Sequence, residues 1–206
     1  MAQEIERRKH TLQAGGLSLE YFEASAGSPL IVFTAEAQER SDRLLRGLSQ
    51  NHRVIAIDQP PASVGSPNQL PVDLARVFDQ LNIAQCSVIG IATGARPAVA
   101  AALQYPERIE KLILVSPRQV AGAGELVNMS AIRTPTLILV GTGDKLGAIE
   151  GRLCRERIPS SHLSFVYETG QQLTIEHLDA CLDPILQFLR AGEQFIIFQD
   201  SQRIRP

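Results

Sequence analysis

The residues with the most chemical potential sit in one short stretch, Cys86 to Leu103, reading CSVIGIATGARPAVAAAL. It begins as a buried strand, turns sharply at Gly90-Ile91-Ala92-Thr93-Gly94-Ala95, and continues as an alanine-rich helix. A strand–turn–helix of this kind, in the pattern Gly-x-Ser-x-Gly, lifts a nucleophilic serine clear of the sheet. Here both glycines stand in place and the middle residue is Ala92, which has no nucleophilic atom. Covalent acyl transfer needs an oxygen or sulfur nucleophile, a base within hydrogen-bond reach, and a group that orients the base. Thr93 is the nearest hydroxyl, one residue off the tip, and its sequence neighbours offer no base. Gly90 and Gly94 also have a purely structural reading, since glycine relieves the close approach of strand and helix whether or not chemistry follows.

Other chemistries find less support. The same GIATGA turn lacks the third glycine of a dinucleotide-binding loop, and Glu110, near the right distance for a ribose contact, opens the next strand instead. His10 and His52 have no acidic or cysteine neighbour at ligand spacing, His162 precedes a strand, and His177 lies near the start of the last helix, so no metal site and no cofactor are expected. Cys86, Cys154 and Cys181 lie far apart and form no CxxC pair, which reads as reduced thiols in a cytoplasmic protein.

The elements that must position these residues follow from periodicity. Residues 4–13 and 17–25 flank the Ala14-Gly15-Gly16 turn as two strands. The continuous apolar run Pro29 to Thr34 reads as a strand covered on both faces, and His52 to Asp58 as another. Leu44, Leu45 and Leu48 have helical spacing, as do Leu70, Leu74, Val77, Phe78 and Leu81, with Pro71 suited to a first turn. Between them, Pro60, Pro61, Gly65 and Pro67 punctuate a loop. Three further strands begin at Lys111, Thr134 and Leu163. A helix from Lys145 separates the last two, and an amphipathic helix ending at Gly192 closes the core. This alternation predicts a mainly parallel sheet with helices on both faces.

Length, 206 residues, and 44% hydrophobic with 20% charged composition fit one soluble globular domain, residues 1–206, with a core of about 17–190 and an extension over 191–206. A net charge of -2 gives no basic field for nucleic acid, and no run of 18 apolar residues is present to span a membrane. MAQEIERRKH has no apolar segment, so neither signal peptide nor anchor is expected.

Read in order, these segments resemble the α/β-hydrolase superfamily from about Leu17 to Leu189. The resemblance is densest in DLARVFDQLNIAQCSVIGIATGARPAVAAALQYPERIEKLILVSP, in IRTPTLILVGTGD and in YETGQQLTIEHLDACLDPILQFL. It implies a three-layer α/β-hydrolase-like sandwich with Ala92 at the nucleophile position and Asp144 at the acid position. Gly170-Gln171 would fall where a Gly-His pair precedes the last helix. Gln171 donates and accepts hydrogen bonds but takes up no proton near pH 7. Thr34-Ala35-Glu36 would stand at the oxyanion loop, where the backbone donors of Ala35 or Glu36 and of Thr93 could converge while the Glu36 carboxylate disfavours an anion. Asp58-Gln59-Pro60-Pro61-Ala62-Ser63 keeps the aspartate of a further family segment and loses its glycines. The segment RQVAGAGELVNMSA is too short to fold as a separate lid.

The resemblance therefore implies a hydrolase relative with a degenerate triad that binds a small ligand or a protein partner in the old cleft, lined by Thr34, Ala35, Glu36, Ala92 and Thr93. Two alternatives stand beside it. One is an ester hydrolase with rearranged catalytic residues, drawn from Thr93, Ser63 and Asp144. The other is a structural subunit of an oligomer, joined through the apolar strip Phe195, Ile196, Ile197 and Phe198 if that strip does not pack on its own domain. Asp144, ending a buried strand, requires a donor, and Gln171 is the one expected.

Overall fold

The computed structural model describes residues 8–14, 17–24, 26–34, 42–58, 74–120, 128–167 and 180–195. Eight strands form one sheet in the order β1-β2-β4-β3-β5-β6-β7-β8. They are β1 (Arg8–Ala14), β2 (Leu17–Ala24), β3 (Ser28–Thr34), β4 (His52–Asp58), β5 (Cys86–Ile91), β6 (Ile109–Val115), β7 (Thr136–Gly141) and β8 (Ser161–Val166). β1 and β2 pair antiparallel, as do β2 and β4. From β4 through β8 every pairing is parallel. The helices are α1 (Asp42–Ser49), α2 (Leu74–Gln80), α3 (Ala95–Gln104), α4 (Lys145–Arg157) and α5 (Leu182–Ala191), the last ending at Gly192 as its sequence predicts.

The continuous apolar runs explain the layering. Successive side chains of a strand point to opposite faces, so a strand covered on both sides needs no polar alternation. Ile31 and Phe33 of β3, Val88 of β5, Leu112 and Leu114 of β6 and Ile138 and Val140 of β7 meet α2, α3 and α4 in one core layer. Their neighbours Leu30, Val32, Ile89, Ile113, Val115, Leu137 and Leu139 meet α1 and α5 in the other. Each fully buried side chain of this size contributes about 1.5–3 kcal/mol. Cys86 and Cys154 lie in the first layer and Cys181 in the second, all buried and outside any disulfide. Burial pushes the Cys86 and Cys154 thiols up to about 12.

The chain order reverses at β3. Its successor β4 lies on one side, and the next strand, β5, lies on the other. In open sheets of this type, ligands bind outside the carboxyl ends of the strands at such a reversal. Thr34 ends β3 and Ile91 ends β5, so the reversal falls beside Ala92. No helix among the described residues is long and apolar enough to cross a membrane.

Candidate functional site

The turn expected around Ala92 is present. β5 runs buried to Ile91, a tight 3-10 turn covers Ala92–Gly94, and α3 begins at Ala95. A Cβ on Gly90 would stand 2.5 Å from the Ala95 Cα and 2.7 Å from the Ala98 Cβ, and one on Gly94 would collide with the Phe33 carbonyl of β3. The glycines are thus required by packing alone, the structural reading of the sequence. Ala98 and Ala101 of α3 are fully buried, their small side chains letting the helix lie close to the sheet. Ala92 itself sits at φ 50°, a left-handed conformation that costs a non-glycine residue on the order of 1 kcal/mol.

The second half of the site forms where β6 and β7 end. Beyond β6, Ser116 and Gln119 also adopt left-handed backbone, at φ 43° and 56°. Between them, Arg118 does two things. Its backbone N–H donates to the Ala92 carbonyl at 3.0 Å. Its guanidinium Nη2 donates to Asp144 Oδ1 at 2.6 Å, forming an ion pair. Asp144 is 2% exposed and caps the N-terminus of α4, with Oδ1 also accepting the Gly147 N–H at 2.9 Å. A side chain at position 147 would run into both the Asp144 carboxyl and the Arg118 guanidinium, so glycine is what lets the pair lie across the first turn of α4. Ser116 Oγ and Asp144 Oδ2 are buried without a hydrogen-bond partner among the described residues.

Chemically, Ala92 and Asp144 are connected, but through Arg118. The guanidinium is permanently protonated and donates only, so it holds the carboxylate without relaying a proton. Gln171 lies outside the described residues, as do Ala35, Glu36, Ser63, Ile196, Ile197 and Phe198. Asp144, for which Gln171 is the donor expected from sequence, already holds two others, Arg118 and Gly147. Thr34 is buried at the end of β3 and Thr93 is half-buried in the turn. His52 and His162 occupy the starts of β4 and β8, the end of the sheet opposite Asp144. Burial holds both imidazoles below their ordinary value. His162 stands edge-on to Phe195, with ring centroids 5.6 Å apart, and Phe195 also meets Phe188 of α5. Phe195 therefore packs on its own chain. No group of three metal-ligating side chains occurs among the described residues.

Arg118 is the residue that sequence reasoning missed. It follows the Ser-Pro just beyond β6, 26 positions before its partner, and no local pattern marks it.

No family model matches the chain. Solved structures do match. An enol-lactonase from Burkholderia xenovorans aligns at a TM-score of 0.75 and 17% identity, covering 88% of this chain and 100% of that one. A carboxylesterase from Bacillus subtilis aligns at 0.74 and 15%, covering 91% and 93%. A predicted CIB-like hydrolase from Thermoplasma acidophilum aligns at 0.71 and 18%, covering 91% and 99%. At this identity the likeness is one of architecture, and it agrees with the parallel sheet and its two helical layers: the chain has the α/β-hydrolase fold.

Proposed function

We propose that this protein is a hydrolase-fold protein without serine-hydrolase catalysis, which binds a small ligand or a protein partner at the cleft beside Ala92. The observation that carries the reading is Ala92 itself, a residue with no nucleophilic atom held at φ 50° at the tip of the strand–turn–helix, in a fold shared with a carboxylesterase and an enol-lactonase. Two features support it. The chain reversal at β3 favours a binding crevice at this end of the sheet. The Asp144 carboxylate is engaged by Arg118, which cannot serve as a general base near neutral pH. Three buried, reduced thiols support a reducing compartment such as the cytoplasm.

The experiment pairs a fluorophosphonate probe with 4-nitrophenyl acetate. The purified protein is expected to take no covalent label and to leave the ester unhydrolysed above background. In an NMR titration the same ester is expected to shift the Thr93 amide resonance. Stoichiometric labelling that disappears in Thr93→Ala would instead establish a hydrolase with a displaced nucleophile.

A further inference from the structure

The large hydrophobic side chains exposed among the described residues gather at one corner of the molecule. They are Leu146 (65% exposed) and Ile149 (55%) on α4, with Phe165 (37%) and Tyr167 (77%) at the end of β8. One turn beyond Ile149, the Arg152 guanidinium lies over the Phe165 ring at 6.0 Å, which brings the outer face of α4 against the end of the strand. Contiguous exposed apolar surface of this kind marks an interaction site more often than chance scatter does.

β8 is also the last strand of the sheet, paired only with β7 among the described residues. The Ser160 and Val166 carbonyls accept from Thr136 and Thr142, so even-numbered residues turn their backbone toward β7. Backbone groups alternate sides along a strand, and Leu163 and Phe165 therefore present their N–H and C=O away from the sheet. Exposed edges are usually blunted by lysine, proline or a bulge. The strand here reads SHLSFV, without a charge or a proline.

We infer that this corner is a docking surface for a second copy of the same chain, paired antiparallel through β8. The same strand, turned by a two-fold axis normal to the sheet, offers the matching row of donors and acceptors. That operation keeps each face on its own side, so the two α4 helices lie together above the joint. Leu146 and Ile149 of both copies then meet there, over the paired Phe165 residues. On the opposite face, His162 is already covered by Phe195 of its own chain. One contact used twice covers both the apolar patch and the open edge.

The test is the mass of the full chain in solution, by analytical ultracentrifugation at micromolar concentration, with hydrogen exchange on the same samples. The expected mass is twice 22.5 kDa, with the Leu163 and Phe165 amides gaining protection as concentration rises. Phe165→Pro removes an outward donor at an edge position that tolerates proline. Ile149→Glu charges the apolar layer at an exposed helix site where folding is not at stake. Each is expected to weaken the dimer about tenfold or more, while Ile197→Glu in the C-terminal extension leaves it unchanged. If Phe165→Pro fails to fold, Ile149→Glu alone decides. A monomeric wild type overturns the proposal. So does a dimer that survives Ile149→Glu but dissolves in Ile197→Glu, which would assign the contact to the tail.

Discussion

The turn at Ala92 and the corner at Asp144 sit at the ends of strands two places apart, and they are held by opposite means. At the turn, contact between backbones fixes the geometry: Gly90 against Ala95, Gly94 against Phe33, with a side chain at position 92 that carries no polar atom. At the acid corner, charge fixes the geometry. Asp144 is buried, accepts the Gly147 N–H and is paired with Arg118. Shape and charge are thus specified by separate contacts, and the strand–turn–helix stands on close backbone packing with an alanine at its tip. A link between the halves is the Arg118 N–H on the Ala92 carbonyl.

The largest effect should come from the side governed by packing. Gly94→Ala places a methyl group into the Phe33 carbonyl, and neither backbone can yield cheaply. A loss of about 3 kcal/mol or more is expected in urea unfolding, overpacking being among the costliest substitutions. A loss below about 1 kcal/mol would show that the turn is not set by close packing.

The corner governed by charge should respond less, because the Arg118 side chain remains 24% exposed to water. Arg118→Met leaves the Asp144 carboxylate buried without its cation and is expected to cost about 2 kcal/mol. Adding Asp144→Asn should then recover part of that loss, and the coupling in the double-mutant cycle measures the pair directly. Additive effects would break the comparison by assigning the corner to packing as well.

The smallest effect concerns residue 92 and has the opposite sign. Ala92→Gly relieves the left-handed strain, offset by the greater freedom of glycine in the unfolded chain, for a net gain of up to about 1 kcal/mol. Destabilisation would mean that the alanine methyl contributes more by packing against the α1–α5 core layer than its backbone costs.

The fold was legible in the sequence because period and punctuation are local. Runs such as Leu30 to Phe33 and Leu112 to Val115 announce strands covered on both faces, and the alanines of α3 announce a helix pressed against a sheet. The sharp turn at Ala92 was legible too, since Gly90 and Gly94 mark the close approach of strand and helix. The partner of Asp144 was not. An ion pair across 26 positions is chosen by where two loops meet in space, and an arginine after a strand looks like any other surface residue. Gly147 was equally silent, because its reason for being small is the Asp144 carboxyl together with an arginine contributed by a different loop. Phe195 looked ambiguous in a β-prone apolar strip, and only the positions of His162 and Phe188 assign it inward.

The three cysteines give the molecule an internal record of its own breathing. A thiol sealed in the core reacts with alkylating reagent only while the surrounding structure is open, so its modification rate reads the free energy of that opening. Cys181 reports on the layer made by α1 and α5, whereas Cys86 and Cys154 report on the layer made by α2, α3 and α4. Equal rates at all three would describe a molecule that opens as a whole. A faster Cys181 would describe a sheet that sheds one face while keeping the other, without a single label having to be introduced.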